Sequence, residues 1–161
     1  RYTIKYAKQN KKSFIFVWKR DRLNPDHQRE IIFYKKYLTE QEFDYLSNNS
    51  IYKEEPYHSY KAMIQSKIVI GASTTMLREN LSLKGKILIC NYTSLPLLHF
   101  PIDAFFVLKR HGYDNFEKKL NSLLDMNIEE YKKELEDLGE YIIKYYNDDD
   151  LDNLKNSFKF N

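Results

Sequence analysis

The sequence of 161 residues is poor in cysteine, glycine and proline, and has no long apolar run. Its single cysteine, Cys90, excludes an internal disulfide framework and a cysteine-based zinc site, so a reducing, cytoplasmic setting is expected. No apolar run approaches the ~20 residues that a membrane-spanning helix requires, and residues 1–12 lack the apolar core of a signal peptide. The 26 basic and 23 acidic residues nearly balance, so nucleic acid is not expected as a partner.

Short apolar segments alternate with amphipathic helical patterns along the chain. The apolar segments that predict strands are residues 13–18, 67–70, 86–90 and 104–108, with a very short fifth one at 51–52. Because the four longer segments are almost wholly apolar, we expect them to be covered on both faces, as in a parallel sheet between helices. The sequence therefore predicts an α/β fold, namely a Rossmann-like three-layer α/β/α domain with about four to six parallel strands.

One domain is predicted over residues 1–161, and its C-terminal segment, from about residue 113 to 161, is predicted to be helical. The chain opens with Arg1 inside a helix-like pattern, which favours a fragment of a longer protein. Two helix starts are marked by capping residues: Thr39, with Glu42 three residues later, and Asn127.

In open α/β sheets, ligands lie beyond the carboxyl ends of the strands, close to helix N-termini. This rule selects residues 19–22, 71–75, 91–94 and the segment after Leu108. Residues 71–75 are the most informative, because a glycine, which permits close approach to the backbone, precedes three hydroxyl side chains at a predicted helix start. This combination suits a phosphate or a diphosphate.

Glu79 follows this turn by about one and a half helical turns, where its carboxylate can accept hydrogen bonds from two neighbouring hydroxyls, such as those of a ribose. A second interpretation remains open, in which Ser73 or Thr74 only caps the helix and Glu79 pairs with Arg78 or Lys84.

The stretch Tyr60–Asn91, Y-K-A-M-I-Q-S-K-I-V-I-G-A-S-T-T-M-L-R-E-N-L-S-L-K-G-K-I-L-I-C-N, resembles the C-terminal half of GT-B glycosyltransferases of bacterial surface-carbohydrate biosynthesis. The shared pattern is a helix that leads to S-K-I-V-I-G, a Ser/Thr-rich turn, a Glu inside the next helix, and G-K-I-L. The downstream F-P-I-D and the segment Tyr113–Tyr131 also resemble the end of such proteins, so that the resemblance covers about two thirds of the chain.

The resemblance implies a domain that binds a nucleotide-activated sugar for transfer to a glycan acceptor, with Glu79 on the ribose and Tyr52 or Tyr57 beside the nucleobase. The residues that it implies for the donor phosphates are Lys19, Arg20, Gly71, Ser73, Thr74 and Thr75. Lys19 and Arg20 also have the ordinary interpretation of solvated charges at a strand end. By the same resemblance, the chain would be a fragment of a two-domain protein whose N-terminal domain, outside this chain, would supply the catalytic base, and the isolated fragment would be inactive. No metal or cofactor is expected, and peripheral association with the inner membrane surface stays open.

The alternative function is a non-catalytic α/β module that binds a partner protein or a small anionic ligand.

His99 and Asp103, close together in a loop, have the spacing of a base and its orienting carboxylate, but ordinary loop polarity also explains them. The four histidines are scattered without the spacing of a metal site, and Cys90 is expected to be a small core residue.

Overall fold

The structure, a computed structural model, describes residues 1–52, 57–93, 95, 99, 100, 103–136 and 138. Within them the chain forms seven α-helices and four β-strands, and both strand pairings are parallel, which confirms the mixed α/β class. In chain order the elements are α1 (Tyr2–Gln9), β1 (Phe16–Val17), α2 (His27–Tyr37), α3 (Glu40–Asn48), β2 (Ser50–Ile51), α4 (His58–Gln65), β3 (Val69–Gly71), α5 (Thr75–Ser82), β4 (Ile87–Ile89), α6 (Tyr113–Asp125) and α7 (Ile128–Glu136). None of these helices is long and apolar enough to cross a membrane.

The chain consists of two compact units, which we call the N-terminal unit (Arg1–Ala62) and the C-terminal unit (Met63–Asn161). Each contains one two-stranded sheet, β1–β2 in the first and β3–β4 in the second. The described strands therefore form two small sheets, where the sequence pattern predicts one sheet of four to six strands.

The N-terminal unit is built around Trp18, which is almost completely buried. Phe16 in β1 pairs with Ser50 in β2, and the Trp18 indole Nε1 donates a hydrogen bond to Ser50 Oγ at 2.8 Å. The Trp18 ring also meets Phe16 and Tyr34 edge to face, with centroids 5.0 and 5.6 Å apart. Burial of Trp18 with its N–H satisfied stabilises the pairing of the two strands.

The strand predicted at residues 13–18 is shorter in the structure, where only Phe16 and Val17 pair. Both are half-buried, and the neighbouring Ile15 is exposed. The apolar run at residues 13–18 is therefore not buried on both faces, because β1 pairs only with β2 within the described residues.

The predicted capping box at the start of α3 is confirmed. Thr39 Oγ1 accepts a hydrogen bond from the Glu42 backbone N–H at 3.3 Å, and Glu42 Oε2 accepts one from the Thr39 N–H at 2.9 Å. Arg1 Nε lies 2.9 Å from Glu42 Oε1 and ties the start of the chain to the same carboxylate. Two N–H groups that the helix itself cannot satisfy are therefore bonded.

The C-terminal unit is built around β4, whose three residues are fully buried. Val69, Ile70 and Gly71 of β3 pair in parallel with Ile87, Leu88 and Ile89. On the other side of β4, Ile89 forms a parallel bridge with Val107. Such continuous burial is typical of a strand with neighbours on both edges.

The strand predicted at residues 104–108 is reduced to that bridge. The Val107 N–H donates to the Ala104 carbonyl at 2.9 Å, which closes a turn inside the segment and shortens the stretch that can pair with β4. Ile89 still donates to Phe106 O, and Leu108 donates to Ile89 O, both at 2.9 Å.

Two polar side chains connect the start of β4 to α6 and α7: Tyr131 of α7, and Lys86, the residue before β4. The buried Tyr131 hydroxyl accepts a hydrogen bond from the Ile87 N–H at 3.1 Å. Lys86 Nζ donates to the Leu123 carbonyl at 2.7 Å, and also to the Met126 carbonyl, at the C-terminus of α6. A cation at the negative end of a helix dipole is a favourable arrangement.

The predicted cap of α7 is confirmed, because Asn127 Oδ1 accepts from the Glu130 N–H at 2.8 Å. Predicted helical residues beyond α7, including 151–160, lie outside the described residues apart from residue 138.

Candidate functional site

The turn between β3 and α5 has the exposure that a binding turn needs. Ser73, Thr74 and Thr75 are exposed, and Gly71 ends the strand. Thr74 is the N-cap of α5, and its Oγ1 accepts a long hydrogen bond, 3.4 Å, from the Met76 N–H. The capping interpretation is thus confirmed for Thr74, and Ser73 and Thr75 are the hydroxyls beside it at the helix start.

Gly71 has a packing role that the sequence did not disclose. A Cβ at this position would lie 3.1 Å from Leu77 Cδ1 and 3.3 Å from Thr74 Cγ2. The missing side chain therefore lets the first turn of α5 pack closely on the end of β3. This contact explains the glycine without a ligand, whereas ligand approach at Gly71 remains a prediction.

Glu79 lies on α5 one turn beyond the exposed hydroxyls and is half-buried. Its Oε2 atom is shielded from solvent, so a ribose would have to reach the carboxylate through the other oxygen. Arg78, considered above as its partner, has its guanidinium 6.0 Å from the centre of the Phe100 ring. The ribose role of Glu79 stays a prediction.

A second turn follows β4 and is held by Asn91. Its Oδ1 accepts from both the N–H and the Oγ1 of Thr93, at 3.0 and 2.9 Å. The Thr93 carbonyl in turn lies 3.0 Å from His99 Nε2. The Asn91 side chain therefore closes this turn through hydrogen bonds to Thr93, as is common in Asn-initiated turns.

A third segment, Lys109 to His111, follows the bridge residue Val107. The His111 ring lies against the Tyr92 ring, with centroids 4.2 Å apart, which joins the second and third segments. Lys109 Nζ pairs with Asp103 at 2.6 Å, and Arg110 is exposed. Asp103 and His99 therefore each contact a different residue, and the predicted base–carboxylate pair is not observed as a contact.

These three segments lie at one edge of the C-terminal unit. Gly71, Ile89 and Val107 are in register across parallel strands, so the chain leaves all three strands in the same direction. With strands about 4.8 Å apart, the outer two segments start roughly 10 Å from each other. We call this edge, made of residues 72–75, 90–93 and 108–111, the carboxyl edge.

Arg110 and His111 are candidate functional residues to which the sequence pattern gave no binding role, since His111 was considered only as one of four scattered histidines. The rule that ligands bind beyond strand ends did select the segment after Leu108. The parallel bridge between Ile89 and Val107 was needed to show that this segment lies at the same edge as the turns after β3 and β4.

Cys90 stands at the same edge, immediately after β4. Burial raises the pKa of its thiol to about 11, against the opposing effect of a hydrogen bond with Tyr92. The thiol is therefore protonated at neutral pH, which agrees with a packing role and not with a nucleophile.

Lys19 and Arg20 lie in the N-terminal unit, after β1 and beside α2. The Arg20 N–H donates to Glu30 Oε2 at 3.2 Å, and Arg29 pairs with Asp26 at 3.1 Å. An open depression of about 320 Å³ is lined by Lys19, Arg20, Asp26, Arg29, Glu30, Phe33 and Tyr34. The structure thus places both predicted cations at a concave surface with other charged groups, and their participation in one site with Ser73 stays a prediction.

The two tyrosines predicted near a nucleobase differ in their surroundings. The Tyr52 ring stacks on Trp18 with centroids 5.8 Å apart, meets His27 edge to face, and lies 4.2 Å from the Arg22 guanidinium. Tyr57 is 60% exposed and has a positive φ of 77°. Tyr52 therefore packs in the core of its unit, and Tyr57 is the more accessible ring.

No group of three or more His, Cys, Asp or Glu side chains suited to a metal ion occurs in the part of the chain that the structure describes.

Comparison of the chain with protein-family models, with curated proteins and with solved structures found no match.

Proposed function

We propose that this chain is the donor-binding part of a GT-B-type glycosyltransferase with a Rossmann-like three-layer arrangement, which binds a nucleotide-activated sugar for transfer to a surface glycan. The observation that carries the proposal is the common register of Gly71, Ile89 and Val107. It gathers a helix N-terminus, an Asn-held turn and a basic segment at the carboxyl edge, where parallel α/β folds bind their ligands.

The chemistry at this edge suits a diphosphate leaving group. The first N–H groups of α5 and the exposed hydroxyls of Ser73 and Thr75 are donors to phosphate oxygens. Arg110 supplies a cation, since Lys109 is already paired with Asp103. Donors and positive charge aimed at a developing phosphate anion stabilise the transition state electrostatically.

A second candidate function is a non-catalytic module that binds a small anionic ligand or a partner protein. It is favoured by the local structural roles of two residues in the turn, because Thr74 caps α5 and Gly71 admits Leu77. Both residues would be needed in this turn even in a protein that binds no nucleotide.

The proposal is tested by thermal unfolding of the chain with UDP, GDP, CDP or CMP at millimolar concentration. A nucleotide present at ~100 times its Kd should raise the free energy of unfolding by roughly 2.7 kcal/mol. The Ser73→Ala/Glu79→Ala variant should lose this stabilisation. A matched control is Ser122→Ala/Glu134→Ala, which removes the same two groups from exposed positions on α6 and α7 and should respond as the wild type does.

Two further outcomes decide the roles of the remaining residues. Indifference to every nucleotide would overturn the donor proposal and favour the non-catalytic module. If a nucleotide binds the Lys19→Ala/Arg20→Ala variant as tightly as the wild type, these cations do not contact the donor phosphates, whereas Arg110→Ala is expected to weaken binding.

A further inference from the structure

Helix α2 presents an unusual outward face. Its buried or half-buried side is formed by His27, Glu30, Ile31 and Tyr34, which recur at helical spacing. The seven exposed residues of the helix are Gln28, Arg29, Ile32, Phe33, Lys35, Lys36 and Tyr37. Ile32, Phe33 and Tyr37 are 66%, 58% and 57% exposed, which is high for three large hydrophobic side chains on one helix face.

The charge of this face has one sign. Its charged residues are Arg29, Lys35 and Lys36, of which Arg29 is paired with Asp26 at 3.1 Å, so that Lys35 and Lys36 are the cations the face offers to a partner. Residues 19–37 hold six basic and three acidic residues, so this stretch has a net charge of +3, as much as the whole chain. The Phe33 and Tyr37 rings contact each other with centroids 5.0 Å apart, and Lys36 Nζ lies 5.5 Å from the Tyr37 ring.

Cations and apolar side chains alternate around this face instead of forming separate zones. Protein–protein interfaces are depleted in lysine, whereas lysine at a bilayer surface extends its ammonium to the headgroups while its methylene stem and neighbouring aromatic rings enter the apolar boundary. Among the occupants that the face could have, an anionic bilayer matches both the charge and the alternation.

We propose that the outward face of α2 docks the protein on an anionic phospholipid surface, with Ile32, Phe33 and Tyr37 at the headgroup boundary and Lys35 and Lys36 among the lipid phosphates. The docking face lies in the N-terminal unit and does not depend on the proposed donor site at the carboxyl edge. The two proposals therefore stand or fall separately.

The test is co-sedimentation of the whole chain with vesicles of phosphatidylcholine alone or with added phosphatidylglycerol. Binding is expected only with the anionic lipid and should weaken as salt rises. Since each cation near such a surface contributes roughly a fivefold gain in partitioning, Lys35→Glu/Lys36→Glu should reduce binding by at least about 25-fold. The matched control is Lys11→Glu/Lys12→Glu, which makes the same charge change at exposed positions of the same unit and should retain most of the binding.

A third variant, Ile32→Ser/Phe33→Ser, tests the apolar contribution at exposed positions, where the fold should tolerate the change; a circular dichroism spectrum like that of the wild type checks this. Its binding should fall at least tenfold, since each apolar side chain withdrawn from water contributes to partitioning.

Unchanged binding of this variant, an equal loss in both charge variants, or binding to phosphatidylcholine alone would overturn the proposal. Self-association of the wild type in light scattering that Phe33→Ser abolishes, without vesicle binding, would assign the face to a second copy of the chain instead.

Discussion

The thiol of Cys90 lies at the end of the buried strand β4, next to the candidate site. Its pKa of about 11 results from burial, which disfavours the charged thiolate. The sequence already placed this residue at the end of an apolar segment and predicted a core role, but how far the thiol is buried depends on tertiary packing.

We expect Cys90 to react slowly with a thiol reagent such as DTNB at pH 8. A free cysteine with a pKa near 8.5 is partly thiolate at that pH, whereas a thiol with a pKa of about 11 is almost wholly protonated. The reaction in the native protein should therefore be at least about 100-fold slower than in 6 M guanidinium chloride. Equal rates in the two conditions would mean that the thiol is neither buried nor raised in pKa.

Thr74 illustrates at the same scale why a sequence leaves two interpretations open. A Ser/Thr-rich turn before a helix predicts both a cap and an anion site, because both use the same unsatisfied N–H groups. Only the folded structure distinguishes the three hydroxyls, since Thr74 is the one that accepts a hydrogen bond from the Met76 N–H.

At the scale of elements, helix starts were well predicted from the sequence and strand extents were not. The capping boxes at Thr39 and Asn127 depend on residues three positions apart, and such local bonds form wherever a helix begins. The length of β1 or of the segment at 104–108 depends on partners far along the chain, which the apolar pattern does not identify.

The capping box of α3 makes stability depend on pH through Glu42. The hydrogen bond from the Thr39 N–H, and then the nearby Arg1, lower the pKa of this carboxyl below its ordinary value. A carboxyl with a lowered pKa in the folded state stabilises the fold above its unfolded pKa of about 4.3, and this contribution is lost as pH falls through the folded value. We expect Glu42→Gln to lower the free energy of unfolding by about 0.5–1 kcal/mol at pH 7 and by much less at pH 3, as measured by urea denaturation.

Glu40→Gln is the control for this prediction, because it removes a carboxylate from the same first turn of α3 without removing a capping-box bond. At pH 7, Glu40→Gln should lower the free energy of unfolding by less than Glu42→Gln does. Equal effects of the two substitutions would assign the stabilisation to the helix dipole alone.

At the scale of the whole molecule, the two units bury their strands to different degrees. All three residues of β4 are fully buried, and the strand has neighbours on both edges, whereas β1 and β2 are half-buried. The amide groups of β4 are also bonded to distant parts of the chain, namely Ile87 to the Tyr131 hydroxyl and Ile89 to Phe106.

We therefore expect the amides of β4 to exchange with solvent most slowly among the described strands. Opening them requires displacement of α7 and of the segment around Phe106, so their protection should approach that of global unfolding. Native-state hydrogen exchange followed by NMR measures this directly. Tyr131→Phe should accelerate the exchange of the Ile87 amide more than that of the Phe16 amide, and longer protection of β1 than of β4 would contradict the prediction.

The amino-acid sequence by itself determined the α/β class, the order of the elements, the caps of α3 and α7, and the position of the Ser/Thr turn after a strand. These features follow from periodicity and from hydrogen bonds between residues close in the chain. Only the tertiary structure decided that the described strands divide into two sheets, and that the segment from Lys109 to His111 lies at the same edge as the turns after β3 and β4, where it contacts the second of them. Strand pairing is a contact between residues far apart in the chain, so its outcome depends on which partners each edge meets and not on the pattern of any one segment.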